Sequence, residues 1–260
     1  QFKIDTEIYS LGFDSDGTKL AVGTDHELLL YTVSTTENPG WKQDQRFAFT
    51  RDLAQNKRAI KSVLFWQPNS TPFILSAGHD NRIRAWNLNT GQQEFELMGH
   101  QSMVQSISLD ATSGRLASAS NDRIIIVWDL DQRKIVTTFD EHQREVTQVR
   151  LLENGRKLLS VSWDGRLIVR DLDPFHPDEH DIRGIDFLNF ATNTSETEMI
   201  AIGKDYLGLW DLQGTVRPLN EQALNPPQDW NPNDPLYRSV IALPNDAGWL
   251  VGDRASTIHH

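Results

Sequence analysis

Aspartate returns through this chain at positions 80, 122 and 164, 42 residues apart, and again at 205, 41 residues further on. His100 and His142 keep the same 42-residue interval, and so do Trp86 and Trp128. A chain that repeats at such an interval is built from copies of one supersecondary unit, each burying its apolar face against the next copy. The unit is clearest from Gln101 to His142. Val104, Ile107 and Leu109 begin a strand-like run, and Arg115 to Ser120 follows a turn at Ser113-Gly114. Ile124 to Asp129 follows Asn121-Asp122, and Ile135 to Phe139 completes the copy. Short β-branched runs punctuated by Gly, Asn and Asp predict four strands per copy.

Four strands, Gly99-His100 ahead of the first and Trp128-Asp129 closing the third, at a period of about 40–45 residues, resemble the WD repeat. The resemblance covers nearly the whole chain. It implies an all-β fold, a β-propeller in which each copy is one four-stranded blade. Five complete blades and a partial sixth are expected, at about 1–50, 59–100, 101–142, 143–181, 182–220 and 237–260, within a seven-bladed ring. Blade one is a degenerate copy with Tyr31 where others carry Trp. Residues 34–58 are expected to form a loop or an extended outer hairpin, and the proline-rich 220–236 a loop insertion. Gln1 to Asp5 read as the end of an outer strand that begins earlier. Five and a half blades do not close a ring of seven, so the expectation is a partial propeller inside a larger multidomain protein. A closed ring of six with a distorted last blade is the alternative.

The net charge of −11 over 260 residues argues against a nucleic-acid surface, which needs clustered Lys and Arg. No cysteine is present, so there is neither a disulfide framework nor a thiolate nucleophile or ligand. No apolar run reaches the roughly 18–20 residues of a membrane helix, and no signal-peptide pattern opens the chain. A cytoplasmic protein with no membrane or nucleic-acid partner is expected.

His100, Ser118 and Asp122 have the side-chain types of a nucleophilic triad. A catalytic set occurs once and faces a cleft, whereas this one recurs at the repeat period. The WD-repeat resemblance implies a buried hydrogen-bonded network instead, with His before the first strand, Ser in the second, Asp in the next turn and Trp in the third. On that pattern blade three contributes His100, Ser118, Asp122 and Trp128. Blade two contributes Ser76, Asp80 and Trp86, with Arg58 near the His position. Blade four contributes His142, Ser160 and Asp164, with Arg170 replacing Trp, and blade five Asp205 and Trp210. His176 and His180 lie four apart, but Pro174 and Pro177 flank them and the stretch is not helical; it reads as a loop with His180 in the Gly-His role, and no metal is expected. Asn69-Ser-Thr71 and Asn193-Thr-Ser195 match the glycosylation acceptor and read as ordinary loop residues. There is no Gly-rich phosphate loop, and no cofactor is expected.

The expected function is therefore noncatalytic. The resemblance implies a protein-interaction or ligand-sensing module of a larger signalling or defence protein; the alternatives are a structural scaffold subunit, or a regulatory domain attached to an ATPase, peptidase or kinase. In this family partners meet the face formed by connections into each first strand and turns after each second strand. The matching turn residues include His79, Asn121, Trp163 and Lys204; near the first strands lie Tyr9, Lys61, Met103, Gln105, Glu145, Thr147, Asp186 and Arg238. Trp163 stands out, because a small or polar residue is more usual there. It is either the centre of a contact surface or an aromatic packed on its neighbours.

Overall fold

The computed structural model describes residues 6–34, 40–48, 59–172, 179–183, 187–203, 206–212, 217–223, 237–242, 249–253 and 258–259. Among them every regular element longer than one turn is a strand. The chain divides into two compact units, Gln1–Asp140 and Glu141–His260.

The first unit holds three antiparallel four-stranded sheets, each a blade in sequence order. Blade one is β1 (Ile8–Phe13), β2 (Lys19–Thr24), β3 (Glu27–Ser34) and β4 (Gly40–Ala48). Blade two is β5 (Ile60–Trp66), β6 (Phe73–Gly78), β7 (Arg82–Asn87) and β8 (Gln92–Met98). Blade three is β9 (Val104–Asp110), β10 (Arg115–Ser120), β11 (Ile125–Asp129) and β12 (Lys134–Phe139). The stretch 34–58, expected as a loop or outer hairpin, thus contains the regular outer strand of blade one. Gly40–Ala48 pairs with β3 from Ser34 back to Glu27.

Second strands are buried from end to end, as in Phe73–Gly78, because both faces of a middle strand meet a neighbouring blade. That is why Phe-Ile-Leu-Ser-Ala-Gly reads as a continuous run of apolar and small residues rather than an alternation. Blades one and two share a core in which Ala21, Leu28, Leu30 and Phe47 receive Ile60, Val63, Ile74 and Trp86. Blades two and three share a second, in which Leu75, Ala77, Ile83, Ala85 and Leu97 receive Val104, Ile107, Leu116, Ile126 and Trp128.

The second unit repeats the pattern. Blade four is β13 (Val146–Leu152), β14 (Lys157–Ser162), β15 (Arg166–Asp171) and β16 (Glu179–Arg183). Blade five is β17 (Phe187–Thr192), β18 (Glu198–Gly203), β19 (Tyr206–Asp211) and β20 (Arg217–Ala223). β21 (Tyr237–Ala242), β22 (Trp249–Asp253) and β23 (Ile258–His259) form a three-stranded sixth sheet. Leu159, Val161, Leu167 and Val169 of blade four pack with Phe190, Met199, Ala201 and Trp210 of blade five. His180, expected in a loop ahead of blade five, instead lies inside the outer strand of blade four, paired with Val169. The blade-five outer strand extends to Ala223, into the expected insertion.

Two local features position the candidate site. Every first strand carries a bulge at one register point, leaving a single residue unpaired between two paired ones: Tyr9, Lys61, Gln105, Thr147, Leu188 and Arg238. A bulge re-aims its side chain away from the regular pleat. The turn after each second strand also uses a left-handed residue in blades two to four, namely Asn81 (φ 65°), Arg123 (φ 73°) and Gly165 (φ 76°).

Candidate functional site

Blade three brings His100, Ser118, Asp122 and Trp128 into one chain of hydrogen bonds. His100 Nδ1 lies 2.9 Å from Asp122 Oδ2, and its Nε2 2.7 Å from Ser118 Oγ. Trp128 Nε1 donates to the same Ser118 Oγ at 2.9 Å. The Gln101 amide donates to Asp122 Oδ2 at 2.8 Å and the Ile124 amide to Oδ1 at 2.9 Å. With a carboxylate on one side, the neutral imidazole carries its proton on Nδ1, leaving Nε2 to accept the Ser118 hydroxyl. Burial pushes the Asp122 carboxyl up, but the hydrogen bonds from His100 and the Gln101 amide, with the imidazole's charge, outweigh it and hold the group below its ordinary value. The order His–Ser–Asp matches a hydrolytic triad in geometry, yet Ser118 is wholly buried and its oxygen already receives the indole. No substrate reaches it, so these bonds tie the loop before β9 to the turn after β10.

Blade four repeats the arrangement without the indole. His142 Nδ1 stands 3.0 Å from Asp164 Oδ2 and Nε2 2.9 Å from Ser160 Oγ; the Gln143 amide donates to Asp164 Oδ2 at 2.8 Å. Burial holds the His142 imidazole below its ordinary value, against the opposing pull of Asp164. Arg170, opposite Leu158 where Trp128 stands opposite Leu116, reaches Glu141 at 2.8 Å.

In blade two Trp86 Nε1 donates to Ser76 Oγ at 2.9 Å, as expected. Asp80 departs from the pattern: it pairs with the buried Arg84, on the strand position held by Ile126 in blade three, instead of joining a histidine. A guanidinium in the sheet supplies the cation there. Trp210 of blade five is buried among Met199, Leu159 and Val169; Asp205 lies outside the described residues, as does Arg58.

Two further serines, legible at the same 42-residue interval, belong to the framework. Ser120 Oγ donates to the Ser102 carbonyl at 3.0 Å and accepts the Asp122 amide at 3.1 Å. Ser162 does the same for the Arg144 carbonyl and the Asp164 amide, each at 3.1 Å.

One more tie recurs. The amide of the first turn residue donates to the carbonyl of the residue just ahead of the first strand: His79 to Ala59 at 3.1 Å, Asn121 to Met103 at 2.9 Å, Trp163 to Glu145 at 3.1 Å. The two sets of expected contact positions are thus fastened together blade by blade, with the buried network beneath them.

The WD40 family (WD domain, G-beta repeat) matches this chain at residues 91–129 and 133–171. TOPLESS-related protein 2 of Oryza sativa subsp. japonica is 33% identical over 48 residues, which are 18% of this chain and 4% of that protein. Two solved structures superpose on 99% of this chain at 19% identity: the WD40 repeats of RRP9, with TM-score 0.80 over 76% of that chain, and U3-55K, with TM-score 0.79 over 77%. The chain is a WD-repeat β-propeller.

Within these WD blades the expected contact residues fall as follows. Tyr9, Lys61, Gln105, Thr147 and Arg238 occupy the first-strand bulges; the blade-five bulge is Leu188, not Asp186, which lies outside the described residues together with Lys204. In the first unit the Lys61 ammonium lies 4.2 Å from the Tyr9 ring centroid, and the Tyr9 hydroxyl donates to Glu7 at 2.5 Å. Burial lowers the Lys61 ammonium, with Glu7 opposing. Gln105 Nε2 donates to Asn121 Oδ1 at 2.8 Å, and Met103 and His79 are half-buried. In the second unit Trp163 is 39% exposed, and Arg144 donates to its carbonyl at 3.1 Å. Glu145 and Thr147 beside it are half-buried. Asn193, one of the two glycosylation-acceptor matches, is buried with its amide bonded to Thr197. Among the described residues no group of three or more His, Cys, Asp or Glu could hold a metal, and no helix is long and apolar enough to cross a membrane.

Proposed function

We propose that this propeller is a noncatalytic protein-interaction module whose contact residues are the bulge and turn positions of its blades. The observation that carries the reading is the bulge repeated at one register point in every first strand. Bulges concentrate where a side chain is re-aimed for function, and here they fall on Tyr9, Lys61, Gln105, Thr147 and Arg238. The backbone beneath is held by the Asp122 and Asp164 networks, so a partner meets pre-organised side chains and little ordering entropy is lost on binding. In the second unit Trp163 supplies area while Glu145 steers; in the first unit Tyr9 and Met103 supply area while Lys61 steers. A net charge of −11 favours a protein partner over a polyanion. Service as the sensing part of a larger signalling or defence protein is the finer assignment we infer from the family resemblance.

The test identifies partners of the full-length protein by cross-linking and then measures affinity and melting together for Trp163→Ala. Affinity is expected to fall by about 2 kcal/mol or more with an unchanged melting temperature. Lost stability with unchanged affinity would assign Trp163 to packing and remove this surface from the reading.

A further inference from the structure

The first strands of blades one, two and three are superimposable in register. Ile8, Leu11 and Phe13 stand opposite Thr24, Val22 and Leu20; Ile60, Val63 and Phe65 opposite Gly78, Ser76 and Ile74; Val104, Ile107 and Leu109 opposite Ser120, Ser118 and Leu116. Their surroundings differ sharply. Leu11 is 58% exposed against 7% for both Val63 and Ile107, and Ile8 is 48% exposed against 1% for Ile60. Phe13 is as exposed as Leu11.

The buried counterparts owe their burial to the blade before them. Val63 packs with Ala21, Leu28 and Leu30, and Ile107 with Leu75, Ala77 and Ala85. Each inner strand is received by the inner and second strands of the preceding blade, as β5 is by β1 and β2, and β9 by β5 and β6. The other face of β1 is already closed: Ser10 donates to the Ile60 carbonyl at 2.9 Å, and a Cβ on Gly12 would lie 2.9 Å from the Val63 oxygen. Leu20, Val22, Leu29 and Tyr31, on the face shared with Leu11, form a buried cluster. The uncovered apolar row is therefore confined to the inner strand.

We propose that Ile8, Leu11 and Phe13 are the seat of the inner two strands of a further WD blade, contributed by the same polypeptide from outside residues 1–260. The proposal continues an interface formed twice in the first unit, with the same register and residue types. The receiving residues at both existing interfaces are Ala and Leu, so the occupant carries small and aliphatic side chains at those positions. The fold neighbour agrees in length: about a quarter of the RRP9 chain lies beyond the match, on the order of two repeat periods.

The experiment uses the full-length protein and maleimide labelling. Residues 1–260 contain no cysteine, so Leu11→Cys, Ile107→Cys and Met98→Cys each report one site once any cysteines elsewhere are replaced. Leu11→Cys is expected to react about tenfold or more slowly than the exposed Met98→Cys, close to Ile107→Cys and independently of protein concentration. A rate equal to that of Met98→Cys overturns the proposal, and so does protection that disappears on dilution, which would indicate a second copy or a separate protein. Hydroxyl-radical footprinting of the unsubstituted protein gives the same reading without a variant, with Leu11 and Phe13 expected to be protected and Met98 modified. A photo-cross-linker at Phe13 is expected to capture a peptide from outside 1–260; capture of residues 237–260 would overturn the assignment.

Discussion

Blade three and blade four carry the same His–Ser–Asp chain with nearly the same distances, yet they fill its fourth position with a tryptophan and an arginine. The difference separates two roles that the repeat usually combines. The histidine and aspartate join a loop to a turn and act within any blade that keeps them. The tryptophan supplies apolar area to the interblade core and one extra donor to the serine. Arg170 does neither and is turned instead toward Glu141 at the surface. Blade two shows the complementary loss, keeping Trp86 on Ser76 while its aspartate is satisfied by Arg84. The two halves of the network are thus separable.

The largest test of that separation removes the shared half. Asp122→Ala and Asp164→Ala should each cost about 2–4 kcal/mol in denaturant unfolding, because each leaves a buried imidazole and two or more amide donors without an acceptor. Near-equal costs are expected even though only one blade has the indole; a clear excess for Asp122 would mean that Trp128 is coupled to it. The second test removes the unshared half. Trp128→Phe should cost about 1–2 kcal/mol, from lost buried area and the lost donor to Ser118, whereas Arg170→Met should cost less than about 1 kcal/mol because its ion pair is partly solvated.

The third test is pH. Burial holds the His142 imidazole below its ordinary value, so the unfolded chain takes up a proton that the folded blade refuses. Its contribution is complete above the ordinary histidine value of about 6.5 and is lost progressively as pH falls from there toward the folded value. Asp122 is also held below its ordinary value, and its contribution is lost at lower pH, below about 4, as the carboxylate is protonated. Melting temperature should therefore fall in two stages on acidification. An NMR titration of His142 giving a value above 6.5 would contradict the first stage.

Much of the fold was legible because the repeat fixes side-chain roles at constant offsets. Ser118 and Ser160, Asp122 and Asp164, and His100 and His142 hold the same bonds 42 residues apart. The outer strand of blade one was not, since Gly40–Ala48 interrupts its apolar residues with Lys42, Gln43, Asp44, Gln45 and Arg46, and an outer strand needs only one half-covered face. Asp186 was chosen by counting forward from blade four, but the blade-five bulge falls on Leu188 because the connection between the blades differs in length.

By itself the sequence determined the copies, their strands and the network within each, because these depend on residues close in the chain whose spacing is set by strand and turn geometry. Only the tertiary structure decided that Arg84 answers Asp80, that the bulges fall on Tyr9, Lys61, Gln105 and Thr147, and that Leu11 and Phe13 are exposed where Val63 and Ile107 are buried. Period-two patterning assigns an apolar side chain to a face of its sheet, but whether that face is covered depends on a neighbouring blade some 40 residues away, and no local pattern records its arrival.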